Sequence, residues 1–233
     1  MNVTFTPDFE INTPEFPYEL GDLEGLDCKS EQVDGKRIYT TPTGEKYPSV
    51  TTVTGLLSRD HIKLWRQRVG EETANRISSQ AARRGTRMHN LFEQYLRAEE
   101  DIEFENVLDQ SMFLAVQPYL DEITPIALEA PLWSHHLEMA GRVDCIGVVD
   151  DMLTIVDFKT SSKYKEEHMA KGWMTQMTAY AIMVEELTGV PVEQIIAVVA
   201  VDGGGVQVFG SDPVNHVDDL NKLRQQYRNL YGV

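Results

Sequence analysis

The sequence predicts an α/β fold: a central mixed β-sheet flanked by helices, preceded by a helical N-terminal region. Three observations carry this. Apolar runs of strand length recur in the second half, namely "IALEAPLWS", "EMAGRVDCIGVV", "MLTIVDFK" and "EQIIAVVAV". Helix-period stretches lie before and between them. The chain of 233 residues, 42% hydrophobic and 25% charged, has the composition and length of a sizeable globular domain.

From the N-terminus, residues 1–34 are rich in Pro, Asp and Glu and lack clear periodicity, so they read as an extended arm. "RIYTTPTGEKYPSVTTV" reads as a hairpin with "PTGE" at its turn and Pro48 opening a second extended piece. This gives a division into an arm with the hairpin start, residues 1–46, and a main domain, residues 47–233. Two basic helical stretches follow, 54–72 and 73–84. The clearest helix is "GTRMHNLFEQYLRA", where Met88, Leu91, Phe92, Tyr95 and Leu96 form one apolar face. His89 and Glu93 sit four residues apart on its border. Another helix is expected over 106–123.

The three strands come next, followed by the helix "WMTQMTAYAIMVEEL", with Trp173, Met177, Tyr180, Val184 and Leu187 on one side and Gly189 and Pro191 ending it. A buried strand, a short strand "GVQVFG" and a polar helix over 213–231 complete the chain.

The net charge is −16, yet it is polarised. Residues 61–97 hold eight Lys/Arg and three Glu, or +5; residues 98–157 hold one Arg and fourteen Asp/Glu, or −13. The basic stretch is either a solvated helix surface or a phosphate-binding surface on a molecule that otherwise repels phosphates. Arg83, Arg84 and Arg87, close before His89, are the phosphate candidates. Two cysteines, Cys28 and Cys145, cannot form a four-thiolate cluster or a structural zinc site, and two free thiols are expected. No apolar run is long enough for a transmembrane helix and no basic-then-apolar leader is visible, so no membrane association and a cytoplasmic location are expected.

"LTIVDFKTSS" poses the chemical question. Strand alternation puts Asp157 and Lys159 on one side and Phe158 on the other. Taken alone, this is a salt-bridged strand end. Pairing the two central strands as a tight hairpin about Asp150-Asp151 sets Asp144 opposite Asp157. Directly opposed like charges are destabilising, so two carboxylates there call for a cation, and a hard divalent ion such as Mg²⁺ or Mn²⁺ suits oxygen ligands.

His89 on a helix, "GRVD" (Gly141 to Asp144), "DFK" (Asp157 to Lys159) and "QMTAY" (Gln176 to Tyr180) occur in one order. With "YPSVTTVTGLL" near the start, this set resembles the PD-(D/E)xK nuclease superfamily in its RecB-like branch, over residues 47–212. The resemblance implies a restriction-endonuclease-like core and metal-dependent hydrolysis of DNA phosphodiester bonds, often from single-stranded ends. It implies metal binding by Asp144, Asp157, His89 and the Phe158 carbonyl, with Mg²⁺ or Mn²⁺ as the ion. Lys159 would orient the attacking water and help deprotonate it. Gln176, Tyr180, Glu129, Thr160 and Ser161 would support the site or touch DNA, with Tyr180 serving equally well as a core residue. The setting it implies is viral or bacterial DNA replication or recombination, with single-stranded DNA as partner. The lack of four cysteines excludes the iron–sulfur members. Two alternatives stand beside the exonuclease: a structure-specific endonuclease, and a catalytically silent nuclease fold that binds DNA or protein.

Overall fold

A computed structural model describes residues 20–232. Its elements in chain order are β1 (Lys29–Val33), β2 (Lys36–Thr40), β3 (Lys46–Pro48), α1 (Val50–Thr54), α2 (Leu56–Val69), α3 (Glu71–Leu96), α4 (Val107–Leu120), β4 (Thr124–Ser134), β5 (Met139–Val149), β6 (Met152–Ser161), α5 (Lys171–Thr188), β7 (Gln194–Val201), β8 (Gly205–Ser211) and α6 (Val217–Tyr231). Short 3₁₀ turns at Glu167–Ala170 and Pro213–His216 lead into α5 and α6.

The main sheet runs β4-β5-β6-β7-β8 and is mixed: β6 and β7 are parallel, the other neighbours antiparallel. The parallel pair needs a crossover, and α5 supplies it. Helices cover both faces. Met88, Leu91, Phe92, Tyr95 and Leu96 of α3 pack with α4 onto Cys145, Val156, Phe158 and Val198. On the opposite face, α5 and α6 bury Met177, Val184, Leu220 and Tyr227 against Ile146, Ile155 and Ala197. The expected apolar stripe of α5 is in fact a nearly all-round burial, because the helix lies between the sheet and α1 and α6.

The tight hairpin at Asp150-Asp151 is present. Both residues have positive φ (51° and 63°), as a two-residue type I′ turn requires. Val149 pairs with Met152 and Cys145 with Val156, the register in which Asp144 faces Asp157.

Two stretches differ from expectation. The arm contains a strand, β1, joined to β2 by Asp34-Gly35, again with both φ positive; this Asp-Gly signal is short and its flanking strands are too polar to show a period. Pro48 ends a strand rather than opening one. Ser49 then N-caps α1, its side chain accepting from the Thr52 N–H. The expected division at residue 46 falls on the first residue of β3, and residues 1–19 of the arm lie outside the described residues. The two basic helices have their break at Gly70, and α3 is one helix of 26 residues.

The small β1-β2-β3 sheet docks on the main one where Ser49 bridges Ala140 of β5. That contact brings β2 and the start of α1 beside the strand end carrying Gly141 and Asp144.

Candidate active site

Three acids form a row across adjacent strands. In β4–β5, Leu128 pairs with Cys145 and Ala130 with Val143, so Glu129 lies across from Asp144. The β5–β6 register places Asp144 across from Asp157. Paired contacts end at Cys145–Val156, one step before the acids. Beyond it the Asp144 carboxylate takes the place of a strand partner: its Oδ2 accepts the Phe158 N–H at 2.9 Å.

Glu129 has φ 52°, unusual for a non-glycine residue inside a strand. Leu128 packs on the α3/α4 side and Ala130 on the α5 side. Regular alternation would put both on one face, so the chain changes face at Glu129 and turns its carboxylate toward the strand end.

α3 contributes His89, whose Nδ1 lies 3.5 Å from Asp144 Oδ2. His89, Glu129 and Asp144 each offer a ligand atom within 4.8 Å of the others. Asp157 is 1% exposed; its Oδ1 accepts from Gln176 Nε2 at 3.1 Å. Its Oδ2 is ion-paired with Lys159 Nζ at 2.5 Å. One imidazole nitrogen and two converging carboxylates, beside a third and buried carboxylate, fit a hard divalent cation.

The electrostatics agree. Burial pushes Asp157 up to about 6, opposed by Lys159 and reinforced by Asp144. Burial also raises Glu129, with the Asp144 and Glu93 charges adding to it. For Lys159, burial acts downward, but the Asp157 and Asp144 charges outweigh it and the net shift is upward. Lys159 is thereby held as an ammonium.

Tyr180 is buried and packs against Gly141: a Cβ there would meet the ring at 2.8 Å. Close approach of ring and backbone is what requires glycine in "GRVD". The Tyr180 hydroxyl is held well above its ordinary range by burial first, then by the Asp144 and Asp157 charges.

These groups line a cleft of about 490 Å³ together with Arg37, Tyr39, Ser49, Thr51, Asn90 and Arg142. The structure thus brings His89, Glu129, Asp144, Lys159, Gln176 and Tyr180 together, with Asp157 behind Lys159. The Phe158 ring points away, edge-on to His89 and against Phe92. Thr160 Oγ1 faces Gly85 of α3. Ser161 is spent on the loop: its Oγ donates to the Lys163 carbonyl at 2.6 Å.

The α3 arginines lie elsewhere. At 100° per residue, Gly85, Thr86, His89, Asn90 and Glu93 share a face; Arg84 and Arg87 fall on the other side, and Arg83 lies at the border, next to Asn90. Arg84 forks onto Asp202 (2.9 and 2.8 Å) and Arg87 onto Asp109 (2.6 and 3.1 Å). With Arg83 they line a separate cleft of about 500 Å³. Tyr95 is core, its hydroxyl bonded to Asp121. Arg37 and Tyr39 escaped the sequence reading because they reach the cleft only through docking of the small sheet. Asn90 was discoverable as a helical neighbour of His89, as Glu93 was.

No described helix is long and apolar enough to cross a membrane. Residues 63–231 match the PD-(D/E)XK nuclease superfamily. Over 129 residues the chain is 30% identical to the human protein "Mitochondrial genome maintenance exonuclease 1", covering 51% of this chain and 38% of that protein. It therefore spans little more than a third of that relative's length. A solved structure titled "Crystal structure of SSO0001" aligns with TM-score 0.37 and 15% identity over 73% of this chain and 74% of that one, a likeness too distant to argue from. With the acidic row, the D-x-K strand end and a family match that spans most of its length, the chain belongs to the PD-(D/E)XK nuclease superfamily.

Proposed function

We propose that this nuclease is a divalent-metal-dependent DNA exonuclease that works from free single-stranded ends. The observation that carries the reading is the convergence of Glu129, Asp144 and His89 beside the Asp157–Lys159 pair in one cleft. The likeness to a protein named an exonuclease favours action at ends over internal cutting.

Asp144, His89 and Glu129 would hold the ion, with Asp157 and the Phe158 carbonyl completing the set. When bound, Mg²⁺ or Mn²⁺ supplies a lowered pKa for the attacking water and neutralises phosphate charge. The chain's own groups set the geometry. Gln176 fixes the Asp157 carboxylate and Asp157 fixes the Lys159 ammonium. An ammonium cannot accept a proton, so in this arrangement Lys159 donates a hydrogen bond, orienting the water and stabilising charge that develops at the phosphate. The water's oxygen bonds to phosphorus and its proton departs to solvent or to a carboxylate of the row; the bond to the leaving sugar oxygen breaks, and that oxygen keeps the electron pair and takes a proton from solvent.

The test is digestion of matched linear and closed circular single-stranded DNA, with Mg²⁺ or Mn²⁺ and with chelator. The reading expects loss of the linear strand with metal only and survival of the circle. Rapid cutting of the circle would move the function to an endonuclease.

A further inference from the structure

Beside the active-site cleft lies a second one, of about 460 Å³, between the β1–β2 hairpin, α1, the start of α2 and the end of α6. Its lining includes Lys36, Arg37, Thr51, Thr52, Arg59 and Tyr231. Arg37 and Thr51 line both clefts, so the two adjoin at these residues. On a molecule of net charge −16 this surface is locally cationic.

Its charges are also free to bind. Among the described residues, no carboxylate lies within ion-pair distance of Lys36 or Arg37, and Arg59 has only Asp60, at 3.9 Å and exposed. The Lys36 ammonium sits 3.3 Å from the centre of the Tyr231 ring. A cation over an aromatic face is held in place while its N–H donors stay open to an anion. Two of the α3 arginines contrast on both counts. Arg84 and Arg87 are already neutralised by forked carboxylates, and their cleft shares no lining residue with the active site.

We propose that the groove of Lys36, Arg37 and Arg59 is the phosphate track along which a single strand of DNA reaches the active site. This rests on the nuclease reading above and names where that nuclease grips its substrate. Phosphates are recognised by charge and by hydrogen bonds from side chains, without sequence preference.

The experiment is a titration of a fluorescein-labelled oligothymidylate by anisotropy at several salt concentrations, in chelator so that binding is separated from cleavage. Two variants, Lys36→Ala/Arg59→Ala and Lys36→Gln/Arg59→Gln, guard against a packing artefact at Tyr231, and thermal melts confirm that both fold. Each phosphate contact contributes about 0.7 to the log–log salt slope for a single strand, so losing two should flatten it by about 1.4. An unchanged slope in both variants overturns the proposal, as does failure of the wild type to bind. So does a slope lost only on replacing Arg83, Arg84 and Arg87 together, which would put the track on α3. Wild-type cleavage of linear strands with metal is measured in parallel. Cleavage with an unchanged slope refutes the groove alone; a flattened slope without wild-type cleavage supports the groove and refutes the nuclease reading.

Discussion

Gly141→Ala tests how the site is braced. The added Cβ would lie 2.8 Å from Cε1 and Oη of Tyr180 and 3.2 Å from Cζ. Ordinary carbon contacts are about 3.5–4.0 Å, so the ring must retreat by roughly 1 Å. It has little room, being 2% exposed and packed within the α5-side core. Overpacking of this kind costs about 1–3 kcal/mol. Gly141 does not have a positive φ, so Ala recovers about 0.4–1 kcal/mol from a stiffer unfolded chain. The net loss is then about 1–2 kcal/mol, or roughly 2–8 °C in melting temperature for a domain of this size. Tyr180 stands one helical turn after Gln176, which holds Asp157, so the displacement should also lower the cleavage rate. The assay is a thermal melt in chelator beside a single-turnover rate with metal, for Gly141→Ala, Tyr180→Phe and the double variant. Non-additive losses are expected for groups in contact. A Gly141→Ala protein as stable and as fast as wild type would refute the reasoning.

Lys159→Ala and Asp157→Asn should each reduce single-turnover cleavage to background while circular dichroism stays native; near wild-type rates in either would sink their assignment. Mn²⁺ or Mg²⁺ should raise the melting temperature by binding only the folded state, and Asp144→Asn should remove that rise; equal shifts in both proteins would exclude Asp144 as a ligand. The pH dependence of the metal-free protein follows from Asp157. Its folded pKa of about 6 lies above the ordinary 3.8, so the folded state keeps a proton that the unfolded state has released. The stabilisation is complete below the unfolded value and is lost as pH rises through about 6. Melts in chelator between pH 4 and 7 should therefore fall more for wild type than for Asp157→Asn, and parallel curves would contradict the assignment.

Much of the site was legible because strand geometry is arithmetic. A two-residue turn at Asp150-Asp151 fixes the register, and the register sets Asp144 against Asp157. Helical periodicity likewise placed the buried face of α3 and put His89 at its edge. What could not be read depends on contacts distant in sequence. Proximity along the chain made Arg83, Arg84 and Arg87 neighbours of His89, but helix rotation turns Arg84 and Arg87 away, and Asp202 and Asp109 come from the β7–β8 turn and α4 to neutralise them. Glu129 is expected to support the site from the family resemblance, but its place in the His89–Asp144 cluster depends on a positive-φ backbone that a glutamate gives no sign of adopting. Lys36 and Arg37 look like ordinary hairpin charges until the small sheet docks at Ala140.

The central claim is that this cleft holds a divalent ion needed for hydrolysis. Its most direct test is single-turnover cleavage of end-labelled linear single-stranded DNA across a Mn²⁺ titration, for wild type and Asp144→Asn. The account predicts no wild-type cleavage in chelator, a saturable rise with Mn²⁺, and no cleavage by Asp144→Asn at concentrations that saturate the wild type. Wild-type cleavage in chelator, or a titration by Asp144→Asn that overlays the wild type, would contradict it.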